Sequence, residues 1–531
     1  MPSLHWIGKE AVVNHHHAVP FHLLRAVPAL SVGEPGAGNL IVQGDNLVAL
    51  KALLPYYAGQ VKCIYIDPPY NTGNENWIYN DNVNSPLMRE WLGKVVGKEA
   101  EDLSRHDKWL CLMYPRLVLL RQVLREDGAI FVSLNDSEAG HFRLLMDEIF
   151  GTGNFVANIL WQKRTSPDAR LLLSDAHEHV FCFAKNYEKL TFNKVPQSEK
   201  QRKKFKNPDN DPRGPWASSD YAAQGFRPNQ MYEITTPAGR KVKPPAGSCW
   251  KNVEEVFLKL VLEKRIWFGK NGSGVPRRKT FLSESEGISP WTWWSNDDVG
   301  HSQEAKKEIQ DLFESESVFD TPKPVRLIQR VLQIATNPND LVLDSFGGSG
   351  TTGHAVLKTN KQDGGNRKFI LVEMESNIAR DITAERVKRV AEGYTNAKGE
   401  KVEGLGGGFR FCELGEPLFD SHGQLRESVS FADLARHVYF TETGEPLPRE
   451  RISKSPLIGE CRGVAVYLLF NGILGDKSAN GGNILTRAVL AKLPKFDGPK
   501  VIYASGCLLG RERLKSEGIT FRQTPYEIKV T

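Results

Sequence analysis

The sequence has few cysteines and no long apolar run. Its seven cysteines lie tens of residues apart with no CxxC pair, which predicts reduced, mostly buried thiols rather than a disulfide framework or a zinc knuckle. No apolar run approaches the roughly 20 residues that a membrane span needs, and the N-terminal residues lack the apolar core of a signal peptide. We therefore expect a cytoplasmic protein with no membrane partner. The histidines at positions 15–17, with His5 and His22, could suggest a metal site, but without a second cluster we interpret them as surface residues and expect no metal ion.

Positive charge is concentrated in one part of the chain. The net charge is only +6, yet residues 161–280 contain 24 Lys and Arg against 12 Asp and Glu, and the remaining residues carry a net charge of −6. Seven of the eleven tryptophans lie between residues 161 and 294. Basic groups that grip phosphates, interleaved with rings that stack on bases, are typical of nucleic-acid binding. The alternative is a solvated face with core tryptophans, but a surplus confined to one segment favours nucleic acid.

The hydrophobic pattern divides the 531 residues into five parts. Short β-type runs alternate with amphipathic helical stretches in residues 39–190 and again in residues 301–410, which predicts βαβ units of one parallel α/β sheet. The loop-rich residues 191–300 interrupt this sheet as an insertion. Residues 1–38 are expected to form an N-terminal arm, and residues 411–531 to form a small β-α-β-α-β segment that follows a linker.

A glycine-rich loop, "LDSFGGSGTTG", ends one predicted strand of the second half. Gly348 and Gly350 let the backbone approach a ligand, and the helix that follows turns its free N–H groups toward the loop. Glu373 ends the next predicted strand, 23 residues after Gly350, close to the spacing of about 20 at which an acid reaches ribose hydroxyls. The loop fits GxGxxG but has no P-loop lysine, so it predicts an adenosine-type cofactor and leaves NAD open.

An acid, two prolines and a ring interrupt an apolar strand in "IYIDPPYNTG", residues 64–73. Prolines cannot continue a central strand, and they remove backbone donors from the place where it ends. Asp67 can accept one hydrogen of an amino group and the carbonyl of Pro68 the other, which localises the nitrogen lone pair out of the ring plane, while Tyr70 stacks on the base. The stretch therefore predicts a planar amine substrate. A plain β-turn would explain the prolines but not the ring.

Together the two stretches resemble the β-class amino-methyltransferases of DNA, in which the catalytic motif precedes the S-adenosylmethionine motif and a target recognition domain lies between them. The resemblance is most specific to the modification subunits of type III restriction systems. It covers residues 39 to about 415 and includes further blocks such as "QGDNLVALKALLP" and "PKPVRLIQRVL". It implies a Rossmann-like methyltransferase sheet with permuted motif order, residues 191–300 as the target recognition domain, and residues 411–531 as a segment for dimerisation or partner docking.

The resemblance also implies which residues form the site. It makes Asp67, Pro68, Pro69 and Tyr70 the catalytic clamp. The residues that it assigns to S-adenosylmethionine are Asp45, Lys323, Pro324, Asp344, Phe346, Gly348, Gly350 and Glu373. Glu373 would hold the ribose, and Lys323 and Pro324 would lie near the methionine end. The family commonly has Pro where Ser345 stands and often Ala at Gly347, departures that could alter cofactor affinity but remove no catalytic group.

The function implied by the resemblance is methyl transfer to N6 of a flipped adenine in double-stranded DNA. The implied partners are a second copy of the chain and a restriction subunit with helicase and nuclease parts. N4-cytosine methylation is the closest rival, because cytosine offers the same amino geometry, although that class more often begins its motif with Ser. A non-catalytic DNA-reading module and an NAD-dependent oxidoreductase also compete with it. The stretch His177-Glu178-His179 is interpreted as sheet-edge packing or as part of a target-base pocket.

Overall fold

The computed structural model describes residues 4–33, 38–71, 93–94, 104–197, 199–313, 318–448, 455–470, 472–475 and 482–525. Thr72 and Gly73, which end the proline-containing stretch, lie outside the described residues. The chain forms two compact units. One consists of residues 193–290, and the other of residues 1–192 and 291–531.

Twenty-five strands are described in the two units together. In chain order they are β1 His22–Ala26, β2 Leu40–Gln43, β3 Val61–Ile66, β4 Leu124–Leu134, β5 Phe155–Gln162, β6 His177–Ala184, β7 Trp216–Asp220, β8 Ala222–Gln224, β9 Ile234–Thr235, β10 Lys241–Val242, β11 Ser248–Trp250, β12 Ile266–Trp267, β13 Arg277–Phe281, β14 Trp293–Trp294, β15 Leu341–Asp344, β16 Lys368–Glu373, β17 Gly393–Thr395, β18 Lys401–Glu403, β19 Arg410–Pro417, β20 Leu457–Cys461, β21 Val464–Leu468, β22 Ile484–Leu485, β23 Lys500–Ala504, β24 Gly506–Cys507 and β25 Ile519–Gln523.

The helices alternate with these strands through most of the larger unit. In chain order the described α-helices are α1 Lys9–Val13, α2 His15–Ala18, α3 Asn46–Tyr57, α4 Arg105–Val123, α5 Asp136–Phe150, α6 Glu199–Arg202, α7 Glu254–Leu262, α8 Asn296–Val299, α9 Ser302–Phe313, α10 Val325–Ala335, α11 Thr351–Asp363, α12 Glu385–Glu392, α13 Phe431–Thr443, α14 Arg487–Lys492 and α15 Arg511–Ser516. A π-helical turn, Ile378–Ala384, leads directly into α12.

A ten-stranded sheet with the order β1-β19-β2-β16-β15-β3-β4-β6-β5-β14 forms the centre of the larger unit. From β19 to β4 in this order neighbouring strands run parallel, and β6 then pairs antiparallel with both β4 and β5. β3, from the first half of the chain, pairs with β15, from the second half. The predicted α/β sheet is confirmed, and a single sheet joins the two halves.

Helices cover the central strands, which explains why these strands are apolar on both faces. Every residue of β3 is buried, and so are nearly all residues of β2, β15 and β16. α4 begins at a capping box, in which the Asp107 N–H donates to Ser104 Oγ and the Ser104 N–H donates to Asp107 Oδ2. This helix buries Trp109 and Arg116 completely. The helices packed on both faces hold the central strands in place, and the candidate site lies at the ends of these strands.

Three strands, β1, β14 and β19, extend the sheet beyond its predicted bounds. β14 lies in the predicted insertion and pairs parallel with β5. β1 lies in residues 1–38, the expected arm, and pairs antiparallel with β19. β19 begins at Arg410, where the predicted second half ends, and pairs parallel with β2. β1 and β19 each keep a partly exposed face with charged residues, so their hydrophobic pattern is weak. The predicted linker, residues 396–408, is not an irregular connection, because it contains β18, which pairs antiparallel with β17.

Residues 193–290 form a unit with a core of their own. Its strands form small antiparallel sheets, β12-β13-β7, β11-β8 and β10-β9. Its buried core consists of Tyr221, Ile234, Val242, Trp250, Phe257, Leu260, Ile266 and Phe268. Lys279 is also buried, and its ammonium group donates to Asp209 and to Asp211. This unit lies within the insertion predicted at residues 191–300, whose role in target recognition stays a prediction.

Most of the seven tryptophans in the segment from residue 161 to residue 294 are core residues. Trp161, Trp216, Trp250 and Trp294 are at most 4% exposed. The prediction that the aromatic residues of this segment stack on bases is therefore wrong for these four. Composition could not separate the two cases, because a buried tryptophan and a stacking tryptophan look alike in a sequence.

The C-terminal residues form a second sheet in the larger unit, with the order β20-β21-β23-β25. The last three strands run parallel, and α14 and α15 connect them, so the predicted β-α-β-α-β pattern is confirmed. Tyr503 donates from its hydroxyl to Glu442 at 2.6 Å, which ties β23 to α13. None of the helices in the described residues is long and apolar enough to cross a membrane.

Candidate active site

Three acids lie at the carboxyl ends of three neighbouring parallel strands. Asp67 follows β3, Asp344 is the last residue of β15, and Glu373 is the last residue of β16. Because these strands are adjacent in the order β16-β15-β3, the sheet brings together two sequence stretches that are 277 residues apart. Open parallel sheets bind their ligands outside these strand ends.

The glycine loop is fixed from below by Glu373 and Thr383. The N–H of Gly348 donates to Glu373 Oε2 at 2.8 Å, and the Gly348 carbonyl accepts from Thr383 Oγ1 at 2.6 Å. Gly350 has a φ of 76° and precedes α11 as its N-cap. A Cβ at Gly350 would lie 3.0 Å from the Thr383 carbonyl oxygen. A side chain at Gly350 would therefore be strained and crowded.

Asp344 is buried beneath this loop. Its carboxyl group accepts from the N–H of Phe346 at 3.0 Å and from the hydroxyl of Thr352 at 2.6 Å. Burial raises the pKa of Asp344 to about 8. The cleft above the loop is lined by Asp344 and Phe346 and also by Asp67 and Lys323. One cleft thus contains residues from both predicted stretches.

Both oxygens of Asp67 have a donor. Oδ1 accepts from the hydroxyl of Tyr70 at 2.7 Å, and Oδ2 accepts from Lys323 Nζ at 2.6 Å. Burial raises the pKa of Asp67, and the Lys323 ammonium opposes this rise. Burial alone would lower the pKa of Lys323, but Asp67 and Glu178 hold it above its ordinary value. The resemblance put Lys323 at the cofactor, and the structure places its ammonium on the catalytic stretch.

Glu178 completes this cluster from β6. Its Oε2 lies 3.0 Å from the Tyr70 hydroxyl, as an alternative acceptor for the single proton that Asp67 accepts at 2.7 Å, and 3.7 Å from Lys323 Nζ. Its Oε1 accepts from Lys163 Nζ at 3.4 Å. Burial would raise the pKa of Glu178, but the two ammonium groups bring it below its usual value. Burial and the two neighbouring carboxylates raise the pKa of Tyr70 far above its ordinary value, so the phenol keeps its proton. The interpretation of Glu178 as pocket rather than edge packing fits these contacts.

Asn71, which follows the catalytic stretch, is held in place by hydrogen bonds to residues outside that stretch. Asn71 has a φ of 57°, and its amide donates to the Arg105 carbonyl at 3.1 Å and to the fully buried Glu138. His106 and His141 flank Glu138, with their Nδ1 atoms 2.7 and 3.0 Å from its two oxygens. Sequence reasoning missed Glu138, because nothing near it in the sequence indicates a contact across 67 residues.

Asp45 and Pro324 both lie at the start of a helix. Asp45 caps α3, with Oδ1 accepting from the N–H groups of Leu47 at 2.8 Å and Val48 at 3.1 Å. Its Oδ2 accepts from Arg116 at 3.0 Å. Pro324 is the N-cap residue of α10. The structure gives both residues a structural role, and their contact with a cofactor stays a prediction.

A larger cavity, of about 710 Å³, opens beside Tyr70 and Glu178. Trp161 and residues 163–170 form part of its wall. Its volume lies in the range of small-molecule sites. Tyr70 therefore separates the Asp67 carboxylate, which lines the loop cleft, from a space large enough for a planar substrate.

A comparison with known protein families agrees with this geometry. The model of the DNA methylase family (N6_N4_Mtase) matches residues 61–385, which is more than half of the chain. The chain belongs to this DNA methylase family. The match begins with β3 and ends where α12 begins, so it contains the catalytic stretch, the insertion and the glycine loop of this DNA methylase.

Individual relatives are DNA modification enzymes. The chain is 36% identical to the StyLTI Mod subunit, a type III restriction-modification enzyme of Salmonella typhimurium, over 66% of this chain and 57% of that subunit. It is 32% identical to the EcoPI Mod subunit of Escherichia phage P1, over 71% of this chain and 64% of that subunit. It is 30% identical to the type II methyltransferase M.KpnI of Klebsiella pneumoniae, over 68% of this chain and 89% of that enzyme.

These comparisons confirm the resemblance to type III modification subunits. The chain spans somewhat more than half the length of the Salmonella relative. Membership in a DNA methylase family also favours a methyl donor over NAD for the glycine loop. The NAD-dependent oxidoreductase is thereby disfavoured as an interpretation of the GxGxxG pattern.

We predict that Asp45 is needed for folding stability. Asp45→Ala removes the cap of α3 and leaves the buried Arg116 without this carboxylate, so we expect the free energy of unfolding to fall by about 3 kcal/mol. Asp45→Asn retains an oxygen for the cap and should have a smaller effect. Urea unfolding followed by circular dichroism measures both. An alanine variant as stable as the parent would contradict the structural role.

Proposed function

We propose that this methylase transfers a methyl group from S-adenosylmethionine to N6 of an adenine that is extruded from double-stranded DNA. The observation that carries the proposal is the position of Asp67. Asp67 lines the cleft above the glycine loop, and Tyr70, which donates to it, lines the larger cavity. A group placed between a cofactor cleft and a substrate cavity is where group transfer has to occur. The names of the Mod relatives support DNA as the substrate.

The residues in and beneath the glycine loop fit S-adenosylmethionine. Glu373 has carboxylate oxygens that accept from the N–H groups of Gly348 and Glu375. A carboxylate can accept several hydrogen bonds, and ribose hydroxyls need such an acceptor. Phe346 supplies an apolar wall. Burial raises the pKa of Asp344 to about 8, and a cationic sulfonium in the cleft would offset that burial. When bound, S-adenosylmethionine supplies an activated methyl group.

Asp67 and the carbonyl of Pro68 hold the substrate amine in this proposal. The carbonyl of the other proline, Pro69, already accepts from Trp109 Nε1 at 2.7 Å, so we assign the second acceptor to Pro68. With both hydrogens held, the lone pair of the amino nitrogen is localised out of the ring plane. Asp67 then takes up the proton that the nitrogen loses on methylation, and its raised pKa suits that step.

Tyr70 and Lys323 have to release Asp67 before the amine can occupy it. Glu178 lies 3.0 Å from the Tyr70 hydroxyl and 3.7 Å from Lys323 Nζ, so both donors have a second acceptor within reach. The buried charges therefore stay paired during the exchange, which avoids the large cost of an unpaired buried charge. Glu178 acts in this scheme as a positioning residue, and the Tyr70 ring, freed from Asp67, stacks on the base.

We assign target recognition to the unit of residues 193–290. It presents exposed basic side chains, which include Lys203, Lys204, Lys206, Arg227 and Lys251. Such groups neutralise DNA phosphates and release counterions. The flanking residues 39–192 and 291–410, with β1 and the remainder of β19 added, would form the two methyltransferase halves.

We propose two partners besides DNA, a second copy of this chain and a restriction subunit with helicase and nuclease parts. The relatives named as type III Mod subunits support the second. We assign the docking of a partner to residues 411–531. Solution mass with and without residues 441–531 tests this assignment, which fails if the truncated chain associates like the full one.

We favour adenine over cytosine because the motif begins with Asp67 rather than with Ser. Long-read detection of modified bases in DNA exposed to the protein identifies the base, its position and the recognition site together. N6-methyladenine at one sequence is the expected result. N4-methylcytosine would contradict the choice of base, and unmodified DNA would contradict methyl transfer itself.

Asp67→Ala should reduce the methylation rate strongly. Loss of one well-placed hydrogen-bond partner costs about 3 to 4 kcal/mol in the transition state, so we expect a fall of about 100-fold or more. Glu178 still pairs with Lys323, so the variant should fold and bind DNA. Transfer of radiolabelled methyl groups to DNA measures the rate. Asp497→Ala, at an exposed acid near the C-terminus, is the control, and parental activity of Asp67→Ala would exclude the clamp.

Glu373→Gln should weaken S-adenosylmethionine binding. The amide offers one acceptor fewer to the ribose, and its NH2 group opposes the N–H of Gly348 or of Glu375. Since hydrogen bonds to charged groups contribute about 1.5 to 3 kcal/mol, we expect Kd to rise roughly tenfold to 100-fold. Isothermal calorimetry measures this change. Glu403→Gln, at an exposed position of β18, is the control, and an unchanged Kd for Glu373→Gln would refute the ribose contact.

Reversing two charges on the insertion should weaken DNA binding in a salt-dependent way. Each lost phosphate contact removes about 0.9 from the slope of log K against log salt. Lys203→Glu with Lys204→Glu should therefore lower both the affinity and that slope. Fluorescence anisotropy with a labelled duplex at several salt concentrations measures both. Lys492→Glu with Lys495→Glu, at exposed lysines near the C-terminus, is the control, and equal slopes for all three proteins would contradict the assignment.

A further inference from the structure

Three leucines in a row are exposed on one loop of the larger unit. The loop between β5 and β6, residues 163–176, is named here the leucine loop. Leu172 and Leu173 are each at least 91% exposed, and Leu171 is 50% exposed. A single exposed leucine is ordinary, but a contiguous apolar surface marks a binding site.

Hydrogen bonds within the leucine loop hold its backbone in a defined conformation. Its two ends are joined where the Lys163 N–H donates to the Ala176 carbonyl at 2.9 Å. Ser174 Oγ accepts from the N–H of Asp168 at 2.8 Å, and the N–H of Leu171 donates to the Asp168 carbonyl at 3.2 Å. These bonds close a turn below the leucines. The loop therefore presents the leucine side chains outward on a defined backbone.

The same loop forms a wall of the cavity beside the catalytic stretch. Residues 163–170 line that cavity together with Tyr70 and Glu178. Basic groups flank the leucines, since Arg164 also lies on the wall and the guanidinium of Arg170 is exposed. Both pair with acids of the same loop, Arg170 with Asp168 at 2.7 Å and Arg164 with Asp175 at 3.7 Å, so phosphates would have to compete with these carboxylates. An apolar tip with cations beside it, at the mouth of a cavity for a base, combines the features that contact bases and phosphates.

We propose that Leu172 and Leu173 insert into the base stack of DNA and occupy the space that the extruded adenine leaves. This inference rests on the proposed function, because only an enzyme that acts on an extruded base creates that space. Taking a base out of a duplex breaks stacking and pairing, and apolar side chains wedged between base steps replace part of the lost stacking contact. The exposed leucines gain a buried environment only in the complex with DNA, so their burial stabilises the extruded state.

The test compares one variant on two duplexes. Long-read sequencing of genomic DNA modified by the parental protein first locates the methylated site, and a duplex with this site is synthesised. A second duplex carries an abasic position opposite the target adenine, so that the adenine is already unpaired. The variant is Leu172→Ser with Leu173→Ser, and the control is Leu144→Ser, at a partly exposed leucine of α5.

The expected result is a difference between the two substrates. On the paired duplex the double variant should be about tenfold to 100-fold slower than the parent, because the unpaired state is no longer stabilised. On the duplex with the abasic position most of this loss should disappear, while the control matches the parent on both. Fluorescence of 2-aminopurine placed at the target position should rise on binding of the parent and rise less with the variant. Calorimetry with S-adenosylmethionine should give the same Kd for both, which shows that the variant is folded.

Several results would contradict the insertion of Leu172 and Leu173 into the base stack. Parental rates of the double variant on the paired duplex would show that the leucines do not assist extrusion. An equal loss on both duplexes, with a shift in solution mass, would assign the leucines to a protein interface instead. If the parental protein modifies no DNA, the proposed function is wrong and so is the proposed insertion of the leucines. If only the double variant is defective, the proposed function is not contradicted.

Discussion

The parallel pairing of β3 with β15 is the constraint on which the rest of the site depends. In a parallel pair both strands end at the same edge of the sheet, so the residues that follow Cys63 and Ile64 must lie beside those that follow Val342 and Leu343. The insertion between these strands can fold separately without disturbing this edge. The order of the motifs along the chain is therefore immaterial to the chemistry, provided that both strands join one sheet.

Features that depend on local backbone chemistry could be predicted from the sequence. A proline pair has to end β3, and Gly350 with its positive φ has to end the loop before α11. Continuous apolar runs predicted the central strands because helices cover both of their faces. Glu373 could be placed because the spacing from the glycine loop to the next strand end is set by the length of one helix.

Features that depend on distant partners could not be predicted from the residues themselves. The motif gives no indication that Lys323 lies on Asp67, since these residues are 256 positions apart. The contact of Glu138 with Asn71 could not be predicted for the same reason, although this hydrogen bond holds Asn71 in its left-handed conformation. Asp45 shows the opposite case, because a side chain expected at a ligand is committed to a helix cap and to Arg116. A motif identifies the residues, but only tertiary contacts determine which of their atoms already have partners.

The charges beside Asp67 connect the proposed chemistry to the leucine loop. Lys163 stands at the first position of that loop, and its ammonium lies between Asp175, 2.8 Å away near the end of the loop, and Glu178, 3.4 Å away in the catalytic cluster. A loop that shifts when it meets DNA would move this ammonium relative to Glu178. Glu178 lies within reach of both donors on Asp67, so in the proposed exchange its charge balance would govern how readily Asp67 is released. In the proposed mechanism, binding of DNA and release of the Asp67 carboxylate would thereby be linked through Lys163.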